Sequence, residues 1–161
     1  MEADLRGIAV LDIGATSSKL VLFDAGLKPL AERKIASRHA PGPPCAHIDP
    51  EPVFAMARAA LPEFDRILPV DVIVPSAHGA ALACLAEDGS LALPVMDYLA
   101  EPPPEIVAEY RKIEPPFSEV FGPLLPMALP HGIQLYWQER ALPAEFPRVA
   151  AILPWIQYAA F

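Results

Sequence analysis

A chain of 161 residues is long enough for one domain with its own core, and 53% hydrophobic against 20% charged excludes an intrinsically disordered protein. The net charge of −8 argues against a nucleic-acid or anionic-membrane partner, because no basic run is available to release counterions. A phosphorylated small molecule stays compatible, since a few local amides and one lysine suffice to hold it.

Cys45 and Cys84 are the only cysteines; without CxxC or Cys/His spacing they read as reduced thiols in a cytoplasmic protein. The acidic start, MEADLRG, lacks the apolar core of a signal peptide. No apolar run spans a bilayer free of proline or charge. The 21 prolines are scattered and mark turns and element starts rather than a polyproline tract.

The first elements are two strands. An apolar run over 8–11 leads into Asp12, and a turn of small residues follows: Gly14, Ala15, Thr16, Ser17 and Ser18. Lys19 then opens a second apolar run over 20–23, closed by Asp24. This pattern predicts a hairpin. Its turn has the parts of an anion site: Gly14 permits close backbone approach, while Thr16, Ser17 and Ser18 offer hydroxyls and amides. Asp12 is a carboxylate at a strand end, suited to a hydrated Mg²⁺, and Lys19 adds positive charge. The same residues also suit an ordinary Gly/Ser hairpin. They are not a Walker A loop, because no GK[ST] follows and Gly14 opens into a strand.

A third strand is expected over 30–37, then an irregular loop over 38–48 (RHAPGPPCAHI). His39, Cys45 and His47 in that loop lack a fourth ligand at metal-binding spacing. Asp49-Pro50-Glu51 starts a helix, with Asp49 as N-cap and Pro50 at the first helical position. Val53, Phe54, Ala57, Ala60 and Leu61 give it one apolar face, and Pro62 ends or bends it.

A buried strand is predicted over 70–74. It ends in Pro75-Ser76-Ala77-His78-Gly79, a polar cluster where open α/β sheets place ligands, with Gly79 available for a positive φ. A second hairpin is expected, with strands over 80–85 and 91–95, a turn at Glu87-Asp88-Gly89-Ser90, and an end at Met96-Asp97-Tyr98. His78 and Asp97, at the two ends of that hairpin, point to a shared polyol-like ligand, since a carboxylate accepts from adjacent hydroxyls and an imidazole donates to one oxygen.

A short helix follows over 105–112, with Ile106, Val107 and Tyr110 on one side. The stretch 114–130 carries prolines at 115, 116, 123, 126 and 130 and reads as an irregular excursion, a packed loop in preference to a specificity insert or partner surface. A helix over 131–141 turns Ile133, Tyr136 and Trp137 to a core, with Trp137 and Gln138 also placed to line a cleft. The apolar end, VAAILPWIQYAAF, leads to the expectation that the chain is the N-terminal part of a longer protein.

DIGATSSKLVLFD resembles the first phosphate motif of the sugar kinase, actin and Hsp70 superfamily, and within it the FGGY carbohydrate kinases, whose strand reads D-x-G-T-x-S-x-K-x-x-x-F-D. The D-P-E helix start, the His78-Gly79 pair and Asp97 continue the resemblance. It departs at Ser76, where Gln is common, at Met96, where a Trp-containing segment is expected, and after Asp97, where no Arg follows.

The resemblance implies an α/β, ribonuclease H-like (actin-like ATPase) N-terminal domain. Its mixed sheet opens with an antiparallel three-strand meander and carries flanking helices. Residues 1–161 would be an incomplete N-terminal domain, with the remainder and a second domain absent. The implied activity is ATP-dependent phosphorylation of a ketose, deoxyketose or polyol by the full-length protein, with ATP and Mg²⁺ as cofactors. Ketose kinases of the xylulose, fuculose or rhamnulose type rank above glycerol kinases.

Also by resemblance, Asp12 would hold Mg²⁺ through water, and Gly14, Thr16, Ser17, Ser18 and Lys19 would meet the phosphates. His78, Gly79 and Asp97 would contact the sugar. The catalytic base is expected beyond Phe161, so the chain alone is expected to be inactive. The partner is a small-molecule sugar, with a homodimer as the candidate assembly. Two other readings stand beside this one: a non-catalytic nucleotide-binding module of the actin or Hsp70 type, and an interaction domain with a degenerate ATP turn.

Overall fold

The computed structural model describes residues 6–122 and 125–161. Residues 1–5 of the acidic start, and Pro123 of the proline-rich excursion, lie outside the described residues. In chain order the elements are β1 (Gly7–Ile13), β2 (Ser17–Asp24), β3 (Pro29–Ala36), β4 (His39–Ala40), β5 (His47–Ile48), α1 (Glu51–Ile67), β6 (Val70–Ala77) and β7 (Leu82–Leu85). Then come β8 (Val95–Met96), α2 (Pro104–Tyr110), α3 (Phe117–Val120), α4 (His131–Ala141), β9 (Ala151–Pro154) and α5 (Trp155–Tyr158). They form two compact units, one comprising the chain up to Arg38 with Asp49–His78 and Ile156–Phe161, the other His39–Ile48 with Gly79–Trp155.

The first unit is built on a four-stranded sheet in the order β3-β2-β1-β6. The first three strands are an antiparallel meander, and β6 joins β1 in parallel after the α1 crossover. Alternation along β1 buries Ala9, Leu11 and Ile13, and along β2 it buries Ser18, Leu20 and Leu22. The α1 helix lies against the sheet with Val53, Ala57, Ala60 and Phe64 buried, one residue per turn.

The helix begins one residue later than expected, at Glu51. Asp49 still serves its start by accepting the Glu51 N–H at 3.1 Å. It runs through Pro62, which sits on its exposed side, to Ile67. Burial of Phe64 beyond the proline is worth about 2–3 kcal/mol. That offsets a helix-interior proline cost of about 3 kcal/mol.

The strand expected to be buried over 70–74 is instead largely exposed, with Val72, Ile73 and Val74 all open to solvent. The reason is positional: among the described residues β6 pairs only with β1 and so forms an edge of the sheet.

The second unit holds two small sheets, β4-β5-β8 and β7-β9. The stretch 38–48 was expected to be irregular, yet it contributes two two-residue strands, with β5 paired on both sides. The second hairpin forms only in part. Its turn forms, with Ala86 N–H donating to Ser90 at 2.8 Å and Gly89 at φ 81°, but the return does not run as a ladder. After a single bridge between Leu85 and Leu91, the chain leaves, and β8 pairs with β5 while β7 takes β9 as its partner.

The excursion over 114–130 contains the short α3 helix. The α4 helix buries Ile133 and Trp137 as expected, and also Gln134 and Gln138, while Tyr136 is only half-buried. Gln134 donates to the Ala80 and Ala128 carbonyls at 2.6 and 2.5 Å, and Gln138 to Pro94 at 2.8 Å. Trp137 packs with Met96 and Ala128. Trp137 and Gln138 are therefore core residues rather than cleft lining. No helix among the described residues is long and apolar enough to cross a membrane.

Candidate functional site

The first site is the β1–β2 turn. Antiparallel register sets Asp12 opposite Lys19, and the parallel pairing with β6 sets Ser76 on the other side of Asp12. Directly paired residues share a sheet face, so Lys19, Asp12 and Ser76 stand in a row on the face opposite α1. Lys19 Nζ lies 3.4 Å from Asp12 Oδ2, and both side chains are half-exposed. An exposed pair of this kind contributes little stability, at most about 1 kcal/mol.

Beyond Asp12 the chain reverses in three residues. Gly14 N–H donates to Ser17 O at 3.1 Å, and a Cβ on Gly14 would sit 2.8 Å from that same carbonyl oxygen. Glycine is therefore required by the close approach of two backbones. Ala15 and Thr16 form the exposed tip, and neither amide makes a backbone hydrogen bond among the described residues.

Ser17 and Ser18, expected in the turn, already belong to β2. Ser18 is fully buried, because it lies on the face that meets α1, and its Oγ is 3.5 Å from Ser37 Oγ. Its hydroxyl is directed into the fold, away from the tip. Ser37, which the sequence did not single out, fastens the turn from behind. Its Oγ donates to Gly14 O at 2.7 Å and its N–H to Thr16 O at 3.1 Å. Only its position one residue beyond β3 could have signalled this.

The residues expected at the sugar end fall on different units. His78 ends the second stretch of the first unit, while Gly79 and Asp97 belong to the second. His78 is half-buried. Gly79 does not take a positive φ; Gly89 is the described glycine that does. The Gly79 carbonyl accepts from His131 Nε2 at 2.9 Å, which ties the start of this unit to the N-terminus of α4.

Asp97 is a turn residue. Its Oδ1 accepts the Leu99 N–H at 2.9 Å, its carbonyl accepts the Ala100 N–H at 3.0 Å, and its own N–H donates to Ala46 at 3.1 Å. Its Oδ2 lies 3.6 Å from His39 Nε2. The β4-β5-β8 sheet thus brings His39 and Asp97 together, a pairing the sequence did not reveal.

Cys45 is half-buried nearby, and burial pushes its thiol up to about 11. Burial does the same to Cys84. No group of three His, Cys, Asp or Glu side chains poised for a metal occurs among the described residues.

No family model matches the chain, and no curated protein matches it. Solved structures do. A carbohydrate kinase from Novosphingobium aromaticivorans aligns at 32% identity and a TM-score of 0.82, over 98% of this chain and 33% of its own. A xylulose kinase from Rhodospirillum rubrum aligns at 24% identity and 0.75, over 96% of this chain and 34% of its own. A Plasmodium falciparum glycerol kinase, solved with ADP, shares the fold at 11% identity and 0.74, over 98% and 34%.

The chain thus spans about a third of the length of the kinases it matches. Its fold, a mixed sheet with antiparallel strands and flanking helices, is that of the actin- and Hsp70-like ATPases. Within that class, the solved structures it aligns with include carbohydrate kinases, over about a third of their length.

Proposed function

We propose that this chain is the N-terminal part of an ATP-dependent FGGY-family sugar kinase, and that the β1–β2 turn is its phosphate site. The observation that carries the reading is the tip itself. Gly14 packs against the Ser17 carbonyl, the Ala15 and Thr16 amides are uncommitted among the described residues, and the half-exposed Asp12 stands at the base. Outward-facing amides on a tight turn suit phosphate oxygens, and a single carboxylate suits a hydrated Mg²⁺ better than a directly ligated one. The residues present therefore fit Mg²⁺–ATP.

When bound, Mg²⁺–ATP supplies the transferable γ-phosphoryl group and the cation that offsets its charge. The chain supplies position. Gly14 shapes the tip through its close approach to the Ser17 carbonyl, Ala15 and Thr16 present backbone donors, Thr16 adds its hydroxyl, and Ser17 adds its own at the first position of β2. Asp12 orients the metal's water shell. Lys19 holds Asp12 in place across the ladder and adds a positive charge 3.4 Å from it. Ser18 supports the turn through Ser37 rather than touching phosphate.

On the sugar side, Gly79 and Asp97, both of the second unit, are the proposed contacts. The Asp97 carboxylate already accepts from Leu99, so it is offered as a sugar acceptor and not as the base that takes the hydroxyl proton. That base is placed in the part of the kinase this chain does not include. Among substrates we rank ketoses and deoxyketoses above glycerol. A cytoplasmic location goes with that reading.

Calorimetry of Mg²⁺–ATP binding, followed by turnover with a panel of pentuloses, hexuloses and polyols on the full-length protein, tests the proposal. Asp12→Ala is expected to weaken nucleotide binding at least about tenfold, equivalent to about 1.4 kcal/mol. Turnover unchanged by Asp12→Ala would remove the phosphate assignment.

A further inference from the structure

We infer, resting on the sugar-kinase reading above, that His39 shares a sugar hydroxyl with Asp97 and so helps set which sugar is taken. The β4-β5-β8 register brings the two together. His39 pairs with Ile48, and Ile48 with Val95, so the three stand on one face. Asp97 lies two residues beyond Val95, and its N–H donates to the Ala46 carbonyl at 3.1 Å, which extends the ladder. Alternation therefore returns Asp97 to the face of His39. Both residues belong to the second unit, as does Gly79.

The two Asp97 oxygens differ. Oδ1 is committed to the Leu99 N–H at 2.9 Å. Oδ2 makes no hydrogen bond among the described residues, and neither does His39 Nε2, which lies 3.6 Å from it. That gap is too long for a direct hydrogen bond. It suits one hydroxyl set between the two, donating to the carboxylate and accepting from the imidazole N–H. The adjacent carboxylate favours the proton on Nε2 over Nδ1. No Lys or Arg pairs with Asp97 among the described residues, so the imidazole is its nitrogen partner. A carboxylate beside a single imidazole repels phosphate. No third His, Cys, Asp or Glu joins them to hold a metal among the described residues. The chemistry left is that of a neutral polyhydroxy ligand. Such a pair discriminates, because a ligand without the hydroxyl leaves both polar groups unpaired.

Steady-state kinetics on the full-length protein tests this, using the pentuloses and hexuloses and the monodeoxy analogues of the one best turned over. His39→Leu is expected to raise the sugar KM at least about tenfold, equivalent to about 1.4 kcal/mol, with kcat and the ATP KM unchanged. The loss should vanish for the one analogue that lacks the shared hydroxyl, because its contact with His39 is already gone. His39→Gln, which keeps a donor, should recover most of the affinity. In the wild type the His39 Hε1 resonance should shift saturably as the sugar is added, a readout that stands even if His39→Leu fails to fold. A sugar KM untouched by His39→Leu, an equal loss for every analogue, or an imidazole resonance that stays in place would overturn the inference while sugar turnover persists. A wild type that turns over none of the sugars would remove the kinase reading, and this inference with it.

Discussion

Two carboxylates, Asp12 and Asp97, each stand next to a tight turn, and they differ in what they already hold. Asp12 faces Lys19 across 3.4 Å with 42% of its side chain exposed, beside a tip whose two amides are uncommitted among the described residues. Asp97 is 21% exposed, accepts the Leu99 N–H at 2.9 Å and meets His39 at 3.6 Å. The first arrangement leaves donors and charge facing outward, which suits a ligand. The second uses much of its polar capacity to fasten the β4-β5-β8 sheet. A carboxylate at a strand end is thus no guide to a site until its existing partners are counted.

The largest stability effect expected lies in the second unit. Gln134→Leu leaves the Ala80 and Ala128 carbonyls without their donor, at about 1–3 kcal/mol for each buried group left unsatisfied. Urea unfolding measures it, and a loss under about 0.5 kcal/mol would mean water replaces the amide. Next comes Gly14→Val, whose Cβ would press on the Ser17 carbonyl. It is expected to cost about 1–3 kcal/mol by overpacking and to abolish nucleotide binding, read by calorimetry.

The two carboxylates then give the sharpest contrast. Asp97→Ala removes a charged acceptor from a largely covered turn and should cost about 1–2 kcal/mol, whereas Asp12→Ala should change stability by less than about 1 kcal/mol. Nucleotide affinity is expected to move the other way, with only Asp12→Ala weakening it. Equal stability losses from the two would erase the distinction.

The smallest effect concerns pH. Arg6 holds the Asp71 carboxyl down at about 2, through side-chain and backbone hydrogen bonds. A depressed carboxylate contributes stability above its ordinary pKa of about 4, lost as pH falls through the folded value. The Asp71 contribution therefore fades between about pH 4 and pH 2. Asp71→Asn should flatten acid unfolding in that window and leave stability above it nearly independent of pH.

The hairpin was legible because its signal is local. Apolar runs over 8–11 and 20–23 mark the strands, and Gly14 marks the reversal. The α1 face was legible for the same reason, apart from Phe64, which lies beyond a proline that reads as a stop. The pairing of β7 with β9 joins residues about 70 apart and leaves no local trace. Exposure of Val72 to Val74 was hidden because an apolar run reads as a buried strand, and only pairing reveals an edge. Gln134 was missed, and Gln138 was read as cleft lining, because amides default to the surface unless specific carbonyls need them. On the candidate site, residue types singled out Asp12 and the glycine turn, which the structure places side by side, but alternation along β2 turned Ser18 inward, and the Ser37 contacts and the His39–Asp97 pairing emerged only from the strand pairing.

The central claim is that the exposed Gly14–Thr16 tip receives phosphate. Titrating the ¹⁵N-labelled chain with Mg²⁺–ATP and following its amide resonances tests that directly. The account predicts saturable shifts concentrated at Ala15, Thr16 and Ser17, and their loss in Asp12→Ala. Shifts absent from the turn, or a titration identical in Asp12→Ala, would contradict it.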